Sequence, residues 1–361
     1  MVRTNPLRWT VAVPALALLL LIVTWGSKPA VMVLVAVGVF LAGAVFAAVH
    51  HAEVVAHRVG EPFGSLVLAV AVTVIEVALI VTLMASGGSE TATLARDTVF
   101  AAVMITCNGV VGLCLLVGAL RRRVASFNAE GTATALATVA TLATLTLVLP
   151  TFTTSRPGPV FSPAQLAFAA VASVALYALF VVIQTVRHRD YFLPAGVEAS
   201  DPDEHAAPPS DRETMESLGL LVVALVSVVG LAKVESPAIE DAVSAIGAPQ
   251  SAVGVVIALL VLSPETLAAV RNAHRDRVQT SFNLAFGSAM ASIGLTIPAI
   301  AIASIWLEGP LELGLGSTQM VLLAITVVVG ALTVLPGRAT LQEGGVHLVL
   351  FAAFVFLAVN P

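Results

Sequence analysis

Charge is scarce in this chain. Only 11% of its 361 residues are Asp, Glu, Lys or Arg, while 58% are apolar and the mean hydropathy is +1.00. That composition excludes an ordinary water-soluble domain. Cysteine is rarer still: Cys107 and Cys114 are the only two. They lie seven residues apart on one face of an apolar stretch, which fits small buried side chains better than a redox pair. The net charge of −5 comes mainly from one acidic stretch and points to no nucleic-acid partner.

What is abundant is uninterrupted apolar sequence. Runs free of charge mark eleven candidate helices near 10–26, 30–50, 64–86, 97–120, 130–150, 163–186, 217–234, 249–270, 280–306, 317–336 and 344–359. A bilayer is spanned by roughly 20 such residues. The first run is followed almost at once by the second, with no convincing cleavage site between them. It therefore reads as a retained span rather than a signal peptide.

Basic residues fix the expected orientation. With the N-terminus inside, the inner loops hold thirteen arginines: Arg3, Arg8, Arg58, Arg121, Arg122, Arg123, Arg187, Arg189, Arg212, Arg271, Arg275, Arg277 and Arg338. The outer loops hold four basic residues, Lys28, Arg96, Arg156 and Lys233. Positive charge is retained on the cytoplasmic side during insertion. The split predicts an all-α membrane protein of eleven spans, N-terminus in the cytoplasm and C-terminus outside.

Eleven divides as one plus five plus five. The expected organisation is an extra helix in 1–28, a five-helix repeat in 29–186, an acidic cytoplasmic linker in 187–216 and a second repeat in 217–361. Helices five spans apart point in opposite directions, so the repeat is an inverted one. TVFAAVMITCNGVVGL (98–113) and TSFNLAFGSAMASIGL (280–295) share Thr, Phe, Gly and Leu at matching positions. The linker carries Glu198, Asp201, Asp203, Glu204, Asp211, Glu213 and Glu216 with Pro202, Pro208 and Pro209, and reads as solvated chain. Its spacing is not that of an EF-hand loop.

Two glutamates break the apolar pattern. Glu76 and Glu265 lie deep in corresponding spans of the two halves. A carboxylate near the bilayer midplane costs about 2.5–3.5 kcal/mol on insertion scales, and no Lys or Arg lies at matching depth to offset it. Pro264, directly before Glu265, should weaken its helix and free carbonyls on the preceding turn. Thr73 precedes Glu76 by one turn, and Ser263 stands two residues before Glu265. The following span of each half adds Asn108 in one case and Asn283, Ser288 and Ser292 in the other. Carboxylates, hydroxyls and amide oxygens make an all-oxygen set suited to a hard cation, with Glu76 and Glu265 as the metal-ligating carboxylates. Each Ser or Thr alone is also compatible with bonding to its own backbone. HHAEVVAHR (50–58) offers His50, His51, Glu53 and His57, but at an expected helix end it reads as a solvated flank. Glu53 and Glu61 there would help to funnel cations.

The segments GEPFGSLVLAVAVTVIEVALI and VLSPETLAAVRNAHRDRVQTSFNLAFGSAMASIGLTIP resemble the two signature regions of the cation/calcium exchanger superfamily. They are most similar to its bacterial calcium/proton antiporter branch, which also transports sodium or potassium. The resemblance covers essentially the whole chain. It implies one acidic residue from each repeat at a midplane cation site, here Glu76 and Glu265. Two positions depart from the pattern: Thr73 and Leu262 stand where many proton-coupled relatives carry Asn.

The expected function is secondary antiport. Ca²⁺ leaves the cytoplasm as protons enter, by alternating access at a two-glutamate site; Na⁺ or K⁺ against protons is the alternative. The partners are inorganic cations, protons and the lipid bilayer. No cofactor is expected, since the cation is cargo. A hydrolase is disfavoured, because there is no HExxH pair and no serine with a base at equal depth. A passive channel is disfavoured by the repeat and its paired glutamates.

Overall fold

The computed structural model describes residues 9–27, 29–60, 63–87, 91–193, 209–245, 247–249, 251–307 and 309–360. It is built of helices: α1 (Trp9–Thr24), α2 (Val31–Val59), α3 (Phe63–Gly87), α4 (Leu94–Arg122), α5 (Ala129–Phe152) and α6 (Pro163–Arg187), then α7 (Asp211–Ala245), α8 (Ser251–His274), α9 (Val278–Ala303), α10 (Ser317–Val334) and α11 (Leu341–Val359). Among the described residues ten of these are long and apolar enough to cross a membrane. The other, α1, has 16 described residues, about 24 Å at 1.5 Å per residue, and begins at the first described position.

Several boundaries differ from the apolar runs. The helix carrying HHAEVVAHR does not stop near residue 50 but continues to Val59, because nothing in that segment breaks a helix before Gly60. Gly60 then takes φ 74°, and at Gly64 a Cβ would come within 2.5 Å of the Ala56 carbonyl oxygen, so the α2–α3 turn closes only without a side chain there. Helix α7 has 35 residues, starting inside the expected linker and running through Pro237. Its acidic start, Asp211 and Glu213, favours a helix N-terminus. Of the expected linker, Arg187 closes the last turn of α6 and Arg189–Phe192 is a helical turn. Glu198, Asp201, Asp203 and Glu204 lie outside the described residues, as do Arg3, Arg8, Lys28 and Glu61.

π-helical stretches interrupt four of the spans: Ile105–Val110 in α4, Thr144–Val148 in α5, Ile183–Arg187 in α6 and Ser292–Thr296 in α9. Those in α5 and α9 end two residues before Pro150 and Pro298. A proline that cannot donate to the turn before it widens that turn. An unexpected two-residue antiparallel pairing, Ala125–Ser126 with Arg338–Ala339, links the turns before α5 and α11.

Packing sorts the helices into two compact units that do not follow chain order. One contains α1, α2, α3 and α7. There α2 packs along α7, with α1 against both. Gly230 of α7 lets Leu21 of α1 approach so closely that a Cβ would lie 2.3 Å from its Cδ2. The other contains α4 to α6 and α8 to α11. Its centre is α4, whose most apolar window is 89% buried, against 22% for α6 and 17% for α11. Small residues permit this burial. A Cβ on Gly112 of α4 would meet Gly344 O of α11 at 3.1 Å, and one on Gly254 of α8 would meet Thr98 N of α4 at 3.0 Å.

Candidate cation site

Glu76 is 4% exposed and sits on α3 between the buried Ile75 and Leu79, with Thr73 one turn earlier on the same face at 7%. The Thr73 hydroxyl donates to Ala69 O at 2.8 Å. That bond satisfies its proton inside its own helix and leaves its oxygen lone pairs on the Glu76 face. Both residues belong to the first unit.

The remaining candidates belong to the second. Glu265 is half-buried on α8. The helix is continuous through Pro264, whose missing N–H would have bonded to Leu260 O. That carbonyl accepts instead from the Ser263 hydroxyl at 2.7 Å. One turn before Glu265 and one turn after, α8 is braced further: Thr266 Oγ1 donates to Leu262 O at 2.7 Å, and Ser281 Oγ of α9 to Ala269 O at 2.7 Å.

The Ser281 contact sets the level of α9. Ser288 and Ser292 follow Ser281 by seven and eleven residues, on the same helical face. The two helices are antiparallel neighbours, and seven residues are about 10 Å of rise. Ser288 therefore stands roughly level with Leu262 to Glu265 of α8. Ser288 is half-buried and Ser292 is 3% exposed.

The two amides are turned elsewhere. Asn108, fully buried in the π-helical stretch of α4, donates from Nδ2 to Thr326 Oγ1 of α10 at 2.9 Å. Its Oδ1 lies 3.1 Å from His347 Nδ1 of α11, and His347 Nε2 lies 3.1 Å from Thr333 Oγ1 of α10. With the imidazole proton on Nδ1, every member of this chain of groups is satisfied. Asn283 donates to Phe192 O at 2.6 Å and accepts from Gln279 Nε2 at 2.9 Å, which fastens the turn after α6 to α9.

Two buried polar groups escaped the reading of the sequence. His347 is 1% exposed inside the apolar run 344–359, and an ionisable residue within that run was the available signal. Asp97 is 3% exposed in the first turn of α4. Its Oδ1 accepts from Arg96 Nε at 2.8 Å and Gln319 Nε2 at 3.3 Å, and Oδ2 is buried with no hydrogen-bond partner among the described residues. In sequence it is the first residue of the 97–120 run. The histidine segment of α2 also differs from expectation. His51 is 3% exposed with Nε2 2.9 Å from Thr10 O of α1, while Glu53 and His57 face outward. Among the described residues no three His, Cys, Asp or Glu side chains are grouped to hold a metal ion.

This helical plan is shared with known proteins. The sodium/calcium exchanger protein family matches residues 29–186 and 216–360. The chain belongs to that family. It is 47% identical over 335 residues to the putative ionic transporter y4hA of Sinorhizobium fredii, covering 93% of this chain and 90% of that one. It is 34% identical to the sodium-potassium/proton antiporter ChaA of Escherichia coli, covering 98% and 97%. Among solved structures, native YfkE superposes with a TM-score of 0.73 at 15% identity, covering 98% of this chain and 99% of that one. The H⁺/Ca²⁺ exchanger CAX does so with 0.70 at 17%, covering 97% and 92%. The protein is thus an integral membrane transporter of the cation/calcium exchanger superfamily and not an enzyme.

Proposed function

We propose that this protein is a proton-coupled antiporter that exports Ca²⁺ from the cytoplasm, with Glu76 and Glu265 as the groups that exchange cation for proton. The observation that carries the reading is a carboxylate buried at Glu76 inside an apolar span, matched by Glu265 in the second half of a family member. Ionised, the two carboxylates hold a cation; protonated, they are neutral and release it. One Ca²⁺ against two protons is electroneutral at such a site. Two protons moving across one pH unit supply about 2.7 kcal/mol, enough for a roughly hundredfold Ca²⁺ gradient.

The two family-matched stretches, 29–186 and 216–360, support two repeats, with α1 as an eleventh crossing ahead of them. Together with the thirteen-to-four split of basic residues they support an N-terminus inside and a C-terminus outside an inner membrane. Alternating exposure of α3 and α8 would carry the cation across.

A second reading, Na⁺ or K⁺ against protons, has its own support. The curated relative ChaA, 34% identical over nearly the full length, is named for those ions. Asn108 and Asn283 also spend their amides on α10, α11 and Phe192, which thins the oxygen set that Ca²⁺ prefers at about 6–8 ligands. Everted membrane vesicles energised to an acidic interior decide between the two. Addition of Ca²⁺ alone should release protons, as read by a pH-sensitive dye. Release by Na⁺ or K⁺ but not by Ca²⁺ establishes the second reading, and no release by any of the three overturns both.

A further inference from the structure

One cavity of the second unit is lined by none of the candidate cation-site residues. It lies between the N-terminal half of α6 and the C-terminal end of α9, has a volume of about 880 Å³, and is roofed by residues 309–313. Volumes of roughly 300–1,000 Å³ are those of small-molecule sites. Its walls are apolar: Leu166, Ala170 and Val174 on one side, Ala301 and Ile305 on the other. The single hydroxyl in the lining, Ser304, donates to Ala301 O of its own helix at 2.8 Å. Val171 and Ile305 at its edge are 70% and 73% exposed, so the groove opens sideways where lipid chains lie rather than into the protein.

The one charged side chain in the lining is Arg156, on the turn between α5 and α6. It is exposed and forms no hydrogen bond or ion pair among the described residues. It stands at the sparsely basic end of the unit. The opposite end carries Arg121, Arg122, Arg123, Arg187, Arg189 and further arginines, so Arg156 is not one member of a basic rim. A guanidinium at the head of an apolar slot pairs a phosphate-binding group with a chain-binding one.

We propose that this groove binds one anionic phospholipid of the adjoining leaflet, an acyl chain lying between α6 and α9 and its phosphate held by Arg156. Neutral and zwitterionic lipids would fill the slot but gain less from the arginine.

Native mass spectrometry of the full chain, purified in mild detergent with equimolar phosphatidylglycerol and phosphatidylethanolamine, tests this. The wild type should retain one phosphatidylglycerol in several-fold preference over phosphatidylethanolamine. Arg156→Gln, on an exposed turn that does not endanger folding, should bring the ratio near one. Ala170→Trp should remove the bound lipid of either kind, and glycerol phosphate without chains should give no adduct. Equal retention of the two lipids by the wild type, or an undiminished preference in Arg156→Gln, overturns the proposal. Retention of the preferred lipid by folded Ala170→Trp overturns the placement between α6 and α9.

Discussion

The hydroxyl of Ser263 donates at 2.7 Å to the carbonyl of Leu260, the group that Pro264 leaves without its helical partner. A proline inside a membrane helix ordinarily exposes a carbonyl to whatever lies nearby. Here the residue before the proline closes the gap, and α8 reaches Glu265 unbroken. The carboxylate is therefore presented by a regular helix rather than by an opened turn.

That arrangement predicts a rescue. Ser263→Ala should lower thermal stability by about 1–3 kcal/mol, because Leu260 O is left without a donor. Restoring the backbone N–H with Pro264→Ala in the same chain should recover most of the loss. Melting curves of the two single variants and the double variant measure the coupling; strictly additive effects would show that the Ser263–Leu260 bond is not what holds the turn.

The glutamates can be separated from a purely structural role. Gln keeps the shape of the side chain and one carbonyl oxygen, but it cannot carry the proton. Glu76→Gln and Glu265→Gln should each abolish cation-dependent proton flux in vesicles while the protein still inserts, and Asp should retain part of it. A structural glutamate would tolerate Gln or gain stability from it in lipid. Wild-type exchange by either Gln variant removes that residue from the mechanism.

Asn108 and Ser288, paired as candidates in the sequence, should now behave differently. Asn108→Ala leaves His347 and Thr326 each short of a partner, so it should destabilise by about 1–3 kcal/mol. In a cycle with His347→Leu the double variant should cost less than the sum of the singles. Ser288→Ala, level with Glu265 on the α8-facing side of α9, should instead raise the apparent KM for cation with little change in melting temperature. A raised KM without destabilisation in Asn108→Ala would return its amide to the cation site.

Orientation has a direct check. A periplasm-active reporter fused after Pro361 should be active, and the same reporter inserted at Ala207 should be silent. Activity at both positions, or at neither, would end the plan of eleven spans.

The sequence by itself determined the all-helical membrane class and the family. A bilayer demands long apolar runs and penalises misplaced charge, and both constraints act residue by residue along the chain. For the same reason Glu76 and Glu265 were visible: a carboxylate in an apolar run stands out whatever surrounds it. Helix ends were less legible, as α2 and α7 show, because a polar segment such as HHAEVVAHR remains helical when a neighbour covers it. Tertiary structure alone decided the sorting of α1, α2, α3 and α7 from the rest, the engagement of Asn108 by His347 and Thr326 over 200 positions away, and the burial of Asp97 beside Gly254. Those facts depend on which helices pack together and on whether a glycine lets two backbones meet. A hydrogen-bond partner supplied by another helix leaves no mark on the local pattern of the residue that needs it.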